Sequence, residues 1–232
     1  MNILGIDTTT KVASCSVLYN NKFYTKSISN EITHSEKLLP IIHETLDTAK
    51  INLDNIDLLA TINGPGSFTG IRIGLATIKA FAQVKEINIF SISSIDLIGY
   101  VAFKKYNTKE QKVLSLIDAR NNRVYYALNK ISKDENGKIT FEKIIDVDND
   151  TIDNVISKIN EKDIIIAGNC INNFKEKLDT ISEKLIDIYP TTEDLISCYL
   201  DIKNHKDYIY NAYSLDALYA RQSQAERMSN NG

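Results

Sequence analysis

Three stretches of this 232-residue chain carry residue types that could do chemistry. The first is the turn Asp7-Thr8-Thr9-Thr10, directly after an apolar run. Backbone N–H groups and hydroxyls in such a turn can point at a phosphate, and a strand-terminal Asp can hold Mg²⁺ through water. Thr-rich turns are also common as plain hairpin connections, so the pattern alone leaves both readings open. The second stretch is Gly64-Pro-Gly-Ser-Phe-Thr-Gly70. It is not a Walker A loop, because no Lys follows at the required place and Thr69 stands where a Gly is needed. It is not a nucleophile elbow, because Ser67 has Pro65 and Thr69 at the flanking Gly positions. What it does specify is a tight turn in which Ser67 caps the next helix. The third is Gly168-Asn169, after the apolar run Asp163–Ala167. It has the outline of an adenosine-binding turn, but with a single glycine; a plain strand-to-helix turn is the simpler reading.

Histidine limits the chemistry further. There are 3, at His34, His43 and His205, so a site with several His ligands is nearly excluded. His43-Glu44 begins like a zinc-protease motif, but Asp47 stands where the second His is required. The 3 cysteines, Cys15, Cys170 and Cys198, are far apart and lack CxxC spacing, which reads as reduced and incidental. Arginine is sparse among the 27 basic residues: Arg72, Arg120, Arg123, Arg221 and Arg227. In a Lys-dominated chain these mark places where a planar, bidentate cation is wanted, or ordinary surface ion pairs. A net charge of -3 and a pI near 5.7 argue against a stand-alone nucleic-acid binder. No apolar run approaches the roughly 18 residues of a spanning helix, and no basic, signal-like segment opens the chain. The expectation is no membrane association and a cytoplasmic location.

The elements that must position these residues follow from periodicity. Asn2–Asp7, Val12–Tyr19 and Lys22–Ile28 read as an antiparallel meander, with Asn20-Asn21 as a two-residue turn. Thr33 and Glu36 have capping-box spacing for a helix to about Ala49, interrupted by Pro40. A strand at Leu58–Asn63, a helix at Phe68–Val84, a strand at Ile87–Ser91 and a helix capped by Ser93 or Ser94 complete the first unit. The pattern then repeats. Val113–Asp118 ends in Asp, as the first strand does, and Asp118-Ala-Arg-Asn-Asn-Arg turns into Val124–Lys130. Thr140–Val147, a helix near Asp150–Asn160, Asp163–Ala167, a helix after Gly168, Leu185–Ile188 and a helix from Thr192 follow. The expected organisation is an α/β chain with a lobe at 1–106, a second lobe at 107–212, and a helix and frayed tail over 213–232. Gly70 and Gly74 lie one turn apart in a helix, where each costs about 0.5–1 kcal/mol relative to Ala. Close packing against another helix, of the same chain or a partner, is the expected compensation.

Taken together, Asp7-Thr-Thr-Thr10, His34-Ser-Glu-Lys-Leu-Leu-Pro40 and Gly64-Pro-Gly-Ser-Phe-Thr-Gly-Ile-Arg-Ile-Gly-Leu-Ala76 resemble the bacterial TsaB (YeaZ) family. Asp118-Ala-Arg120 and Tyr219-Ala-Arg221 are similar to its later segments. The resemblance implies an actin-like ASKHA (ribonuclease H-like) fold of two duplicated βββαβα lobes, shared with the paralogue TsaD. It implies work in forming N6-threonylcarbamoyladenosine at position 37 of tRNAs reading ANN codons. There TsaC makes threonylcarbamoyl-AMP, and TsaD with the ATPase TsaE performs the transfer. The family member is a non-catalytic partner of TsaD, or a homodimer when TsaD is absent. It binds tRNA weakly if at all by itself and holds no cofactor of its own, Mg-ATP entering at the level of the complex.

Carried onto this sequence, the partner seam would be Leu38, Leu39 and Ile42 with Phe68, Gly70, Ile71, Arg72, Gly74, Leu75 and Ile78. Asp7, Thr8, Thr9, Thr10 and Gly168 would be a vestigial nucleotide site, with no catalytic residue and no metal. The histidine pair of TsaD-type proteins is missing, since Leu38 stands four residues after His34. Two other functions compete: an active phosphotransferase using Asp7–Thr10 and Asp118 for Mg-ATP, and a peptidase acting through Ser67.

Overall fold

A computed structural model describes residues 1–29, 34–161 and 163–219, without the side chain of His34. Thr33, Arg221, Arg227 and the tail Met228–Gly232 lie outside the described residues.

Strand β1 (Ile3–Asp7) is buried along its whole length. It pairs antiparallel with β2 (Val12–Tyr19), which turns at Asn20-Asn21 into β3 (Lys22–Ser29). Both asparagines are left-handed, with φ of 49° and 58°, as a two-residue hairpin requires. On its other side β1 pairs parallel with β4 (Leu58–Ile62), and β4 with β5 (Ile89–Ile92). The second sheet contains β6 (Glu110–Asp118), β7 (Arg123–Lys133), β8 (Ile139–Thr151), β9 (Ile164–Gly168) and β10 (Lys184–Asp187). Its order, β8-β7-β6-β9-β10, repeats β3-β2-β1-β4-β5 of the first sheet. The duplicated βββαβα α/β architecture is therefore present.

Among the described residues six α-helices cover the sheets: α1 (His34–Ala49), α2 (Phe68–Lys85), α3 (Ser94–Tyr106), α4 (Ile152–Lys158), α5 (Lys175–Leu178) and α6 (Thr192–Asp201). Period-2 alternation assigns each strand two faces. In β1, Ile3 faces one core while Leu4 and Ile6 face another. In β6, Val113 and Ile117 join the core of Ile3, while Leu114 and Leu116 face a third. The shared core lies between the sheets. There α3 packs on β6, β7 and β9 of the second sheet, and α6 packs on β1, β2 and β4 of the first. Each lobe thus lends its last long helix to the other. Polar contacts fix the exchange: Tyr100 Oη donates to Asp201 Oδ2 at 2.8 Å, Lys104 Nζ to the same oxygen at 2.7 Å, and Asn129 Nδ2 to Asp96 Oδ1 at 2.8 Å.

Two expected helices differ. After Gly168 the chain makes only a 3₁₀ turn at Asn172–Phe174 and the single turn of α5. The helix expected over 213–227 is not formed in its described part, which is turn and extended chain. Asn211 Oδ1 accepts the N–H groups of Tyr213 and Ser214, which competes with a helical start. This segment returns to the first lobe. The two-residue strand β11 (Ile209–Tyr210) pairs with β5, and Leu215 is buried in the core under α1 and α2.

All three cysteines are buried and free. Burial pushes the Cys15 and Cys170 thiols up to about 12, and raises that of Cys198 well above its ordinary value. Thiolate, the reactive form, is therefore suppressed at neutral pH. Native protein at pH 8 is expected to release no rapid colour from Ellman's reagent, and all three thiols should react once denaturant is added. Stoichiometric reaction of any thiol in the native protein would contradict this burial.

Candidate functional site

The Asp7–Thr10 turn sits at the C-terminal end of β1, where a nucleotide phosphate would approach. Its groups are committed elsewhere. Asp7 Oδ1 accepts both the backbone N–H of Thr9 at 2.8 Å and its hydroxyl at 2.7 Å. Thr8 Oγ1 donates to the carbonyl of Gly70 at 2.7 Å. Thr10 Oγ1 bonds Val12 O at 3.2 Å. The carbonyl of Thr9 accepts the N–H of Ser67 at 2.7 Å. Asp7, Thr8 and Thr9 are buried, and Thr10 is exposed.

What lies on the turn is the loop Gly64–Ser67 and the first turns of α2. A Cβ at Gly66 would lie 2.5 Å from Thr9 O, one at Gly70 1.9 Å from Thr8 O, and one at Gly74 2.5 Å from Thr8 Oγ1. No side chain fits at Gly70 without backbone movement. The close packing expected of Gly70 and Gly74 is therefore real, but its partner is the Thr8 turn of the same chain and not a second helix. Ser67 caps α2, its Oγ accepting from Gly70 N at 3.2 Å, an interaction worth about 1 kcal/mol. Backbone of the loop and of α2 fills the space beside Thr8 and Thr9, and the hydroxyls of Thr8, Thr9 and Thr10 bond within the chain, an arrangement that does not fit phosphate and Mg²⁺ at Thr8 and Thr9.

Gly168 has a similar cause. A Cβ there would stand 1.9 Å from Leu116 O on the neighbouring strand, so strand packing requires the glycine. The second turn, after β6, has Asp118 Oδ1 accepting the N–H of Arg120 at 2.7 Å, with Arg120, Asn121 and Asn122 all left-handed. Arg123 forks onto Asn149, its Nε to Oδ1 and a terminal nitrogen to the carbonyl, both at 2.8 Å. Ser67 gains no base from the described histidines: His43 pairs with Asp47 at 3.0 Å and His205 bonds Tyr199 O. Among the described residues no group of three or more His, Cys, Asp or Glu is placed to hold a metal ion. No described helix is long and apolar enough to cross a membrane.

The residues expected at a partner seam divide sharply. Leu38, Ile42, Ile71, Leu75 and Ile78 are buried in the core beneath α1 and α2, against Leu4, Ile6 and Cys15 of the first sheet. Their stripe anchors the helices to their own lobe, so these five, with Gly70 and Gly74, are corrected from seam to core. An amphipathic stripe can be buried only once. Leu39, Phe68 and Arg72 remain on the surface, Leu39 at 54% and Phe68 at 42% exposure. The Arg72 guanidinium lies 4.0 Å from the centre of the Phe68 ring, and Phe68 stacks on Tyr219 with ring centres 5.2 Å apart. The outward face of α2 continues through Ala76 and Ala80 to Val84, which is 79% exposed. Sequence reasoning missed this second line; its signal was small or apolar residues at 76, 80 and 84, one turn apart.

Comparisons place these observations. A family model described as TsaD, tRNA N6-adenosine threonylcarbamoyltransferase, matches residues 29–192. The tRNA threonylcarbamoyladenosine biosynthesis protein TsaB of Buchnera aphidicola subsp. Schizaphis graminum is 30% identical over 84% of this chain and 90% of its own length. The protein of that name from Haemophilus influenzae is 33% identical over 55% of this chain, and the match spans about half of that relative, 53%. A solved structure, YeaZ from Pseudomonas aeruginosa, superposes with a TM-score of 0.72 at 20% identity, covering 94% of this chain and 99% of that one. The last is a likeness of fold.

Two measurements follow from the closed turn. Titration calorimetry with Mg-ATP should give no binding heat with the isolated chain; a dissociation constant below about 100 μM would show that the turn opens to phosphate. Gly70→Ala should lower stability by about 1–3 kcal/mol or more, as overpacking against backbone does, and a melting temperature equal to that of the parent would contradict the contact.

Proposed function

The chain belongs to the TsaB family, and from that premise we propose that it is a non-catalytic subunit in the formation of N6-threonylcarbamoyladenosine in tRNA. In this reading it docks on its paralogue TsaD and supports transfer of the threonylcarbamoyl group to position 37 of tRNAs reading ANN codons. TsaE, the ATPase, joins the same complex. When TsaD is absent, a second copy of this chain takes its place.

The observation that carries the reading is a pairing of opposites. The turn that would hold phosphate is filled by the chain's own loop, with all three hydroxyls donated internally. The outward face of the helix on that loop keeps Phe68, Arg72, Ala76, Ala80 and Val84 exposed. Small residues let another helix approach closely, and large apolar ones at the ends supply burial. Leu39 on α1 is a further exposed apolar side chain. The net charge of -3 leaves tRNA affinity to other members of the complex.

The seam is therefore drawn on Leu39, Phe68, Arg72, Ala80 and Val84. Val84→Asp and Leu39→Asp should each leave the melting temperature within the range of surface substitutions, about 0.5 kcal/mol. Each should weaken binding to TsaD by about 30-fold, the loss of one interface hot spot of ~2 kcal/mol, measured by calorimetry with purified TsaD. Leu75→Asp is a folding test, since Leu75 is buried against the sheet. Undiminished TsaD affinity in both exposed-site variants would remove the proposed seam.

A further inference from the structure

The described end of the chain, residues 211–219, runs along α2 in the opposite direction to the helix. Tyr213 Oη accepts from Gln83 Nε2 at 3.3 Å near the helix end. Lys79 Nζ donates to Leu215 O at 2.7 Å in the middle. Arg72 Nε donates to Tyr219 Oη at 3.1 Å near its start. Leu215 is buried in the core of the first lobe, while Tyr213 and Tyr219 are exposed.

The same segment reaches the loop before α2. Leu218 N–H donates to Asn63 O at 2.8 Å, and Asn63 Nδ2 donates to Asp216 O at 3.4 Å. The carbonyl of Leu218 lies so close to Gly64 that a Cβ there would stand 2.7 Å from it. On the opposite side, Ser94 at the start of α3 binds the carbonyls of Gly64 and Pro65. Beyond Pro65 the loop rests on Thr9 through Gly66 and Ser67. The loop is thus gripped between α3, the Thr8–Thr9 turn and the terminal segment.

We propose that residues 211–219 are a strap that latches the loop 64–70 onto the Asp7–Thr10 turn, so that release of the strap opens the loop. The strap has one deep anchor, Leu215, and otherwise holds by contacts at exposed or half-buried positions: single hydrogen bonds, the Lys79–Asp216 ion pair and the stacking of Tyr219 on Phe68. Segments held this way are drawn from the low-stability end of a fold and open without global unfolding. Apart from the strap, the loop is held by hydrogen bonds between its backbone and Ser94, Thr8 and Thr9, and Gly64, Gly66 and Gly70 offer no side chain as a further anchor once the strap leaves. Anything that grips the exposed Tyr219–Arg72–Phe68 cluster acts on the loop through this strap.

Hydrogen exchange of the full chain tests the latch. Leu218→Pro removes the N–H that binds Asn63 O. It should speed exchange across residues 64–74 at least ten-fold, while α3 keeps its parental protection. The proposal is overturned if residues 211–219 exchange freely in the variant while 64–74 keep the parental rate, since Ser94 and Thr9 would then hold the loop unaided. If Leu218→Pro also deprotects α3, Lys79→Met, which removes only the bond to Leu215 O and the Asp216 ion pair, is read by the same segments and the same criterion.

Discussion

The rest of the first lobe depends on one close approach: the backbone of α2's first turns against Thr8 and Thr9. It is possible only because positions 66, 70 and 74 carry no Cβ. Two of these glycines weaken the helix locally, by about 0.5–1 kcal/mol each, and the contact offsets that cost. Seating α2 this deeply fixes the direction of its apolar stripe, which then covers the outer face of β1 together with α1. The Asp7–Thr10 turn becomes the seat of the helix, which is left with an outward face of different composition.

The second constraint is the exchange of α3 and α6 between sheets. Because each lobe's last long helix packs on the other lobe, the residues of Ile3, Phe90, Val113, Ile131 and Leu195 share one core. The lobes cannot separate without exposing it. Burial at roughly 25 cal/mol per Å² of apolar surface makes that separation costly. Asp201 fixes the crossing by accepting from both Tyr100 and Lys104 of α3. The terminal segment and the loop it touches lie outside this shared core.

Much of this was legible in the residues. Period-2 runs located the strands, Asn20-Asn21 specified its hairpin, and Ser67 and Ser93 marked the helix starts that they cap. The repeat of strand-terminal Asp7 and Asp118 revealed the duplication. What the sequence left open was the destination of surfaces. Leu38, Ile42, Ile71, Leu75 and Ile78 announce a stripe, but periodicity does not say whether a sheet or a partner covers it. Gly70 and Gly74 announce a close approach without naming the neighbour, and the neighbour is sixty residues upstream. Gly168 is required by the carbonyl of Leu116, a contact set by strand pairing across about fifty residues. The end of the chain misled because Tyr213–Tyr219 has helix-compatible composition, whereas Asn211 turns the backbone and Leu215 is taken by the first lobe.

The role proposed for this chain is a surface that supports TsaD, not a reaction of its own. The most direct measurement is tRNA threonylcarbamoylation in a reconstituted mixture of TsaC, TsaD, TsaE, ATP, threonine and bicarbonate, with and without this chain. The account predicts product only when the chain is present, and no ATP turnover by the chain alone. Equal product without it, or ATP turnover by the isolated chain, would contradict the account.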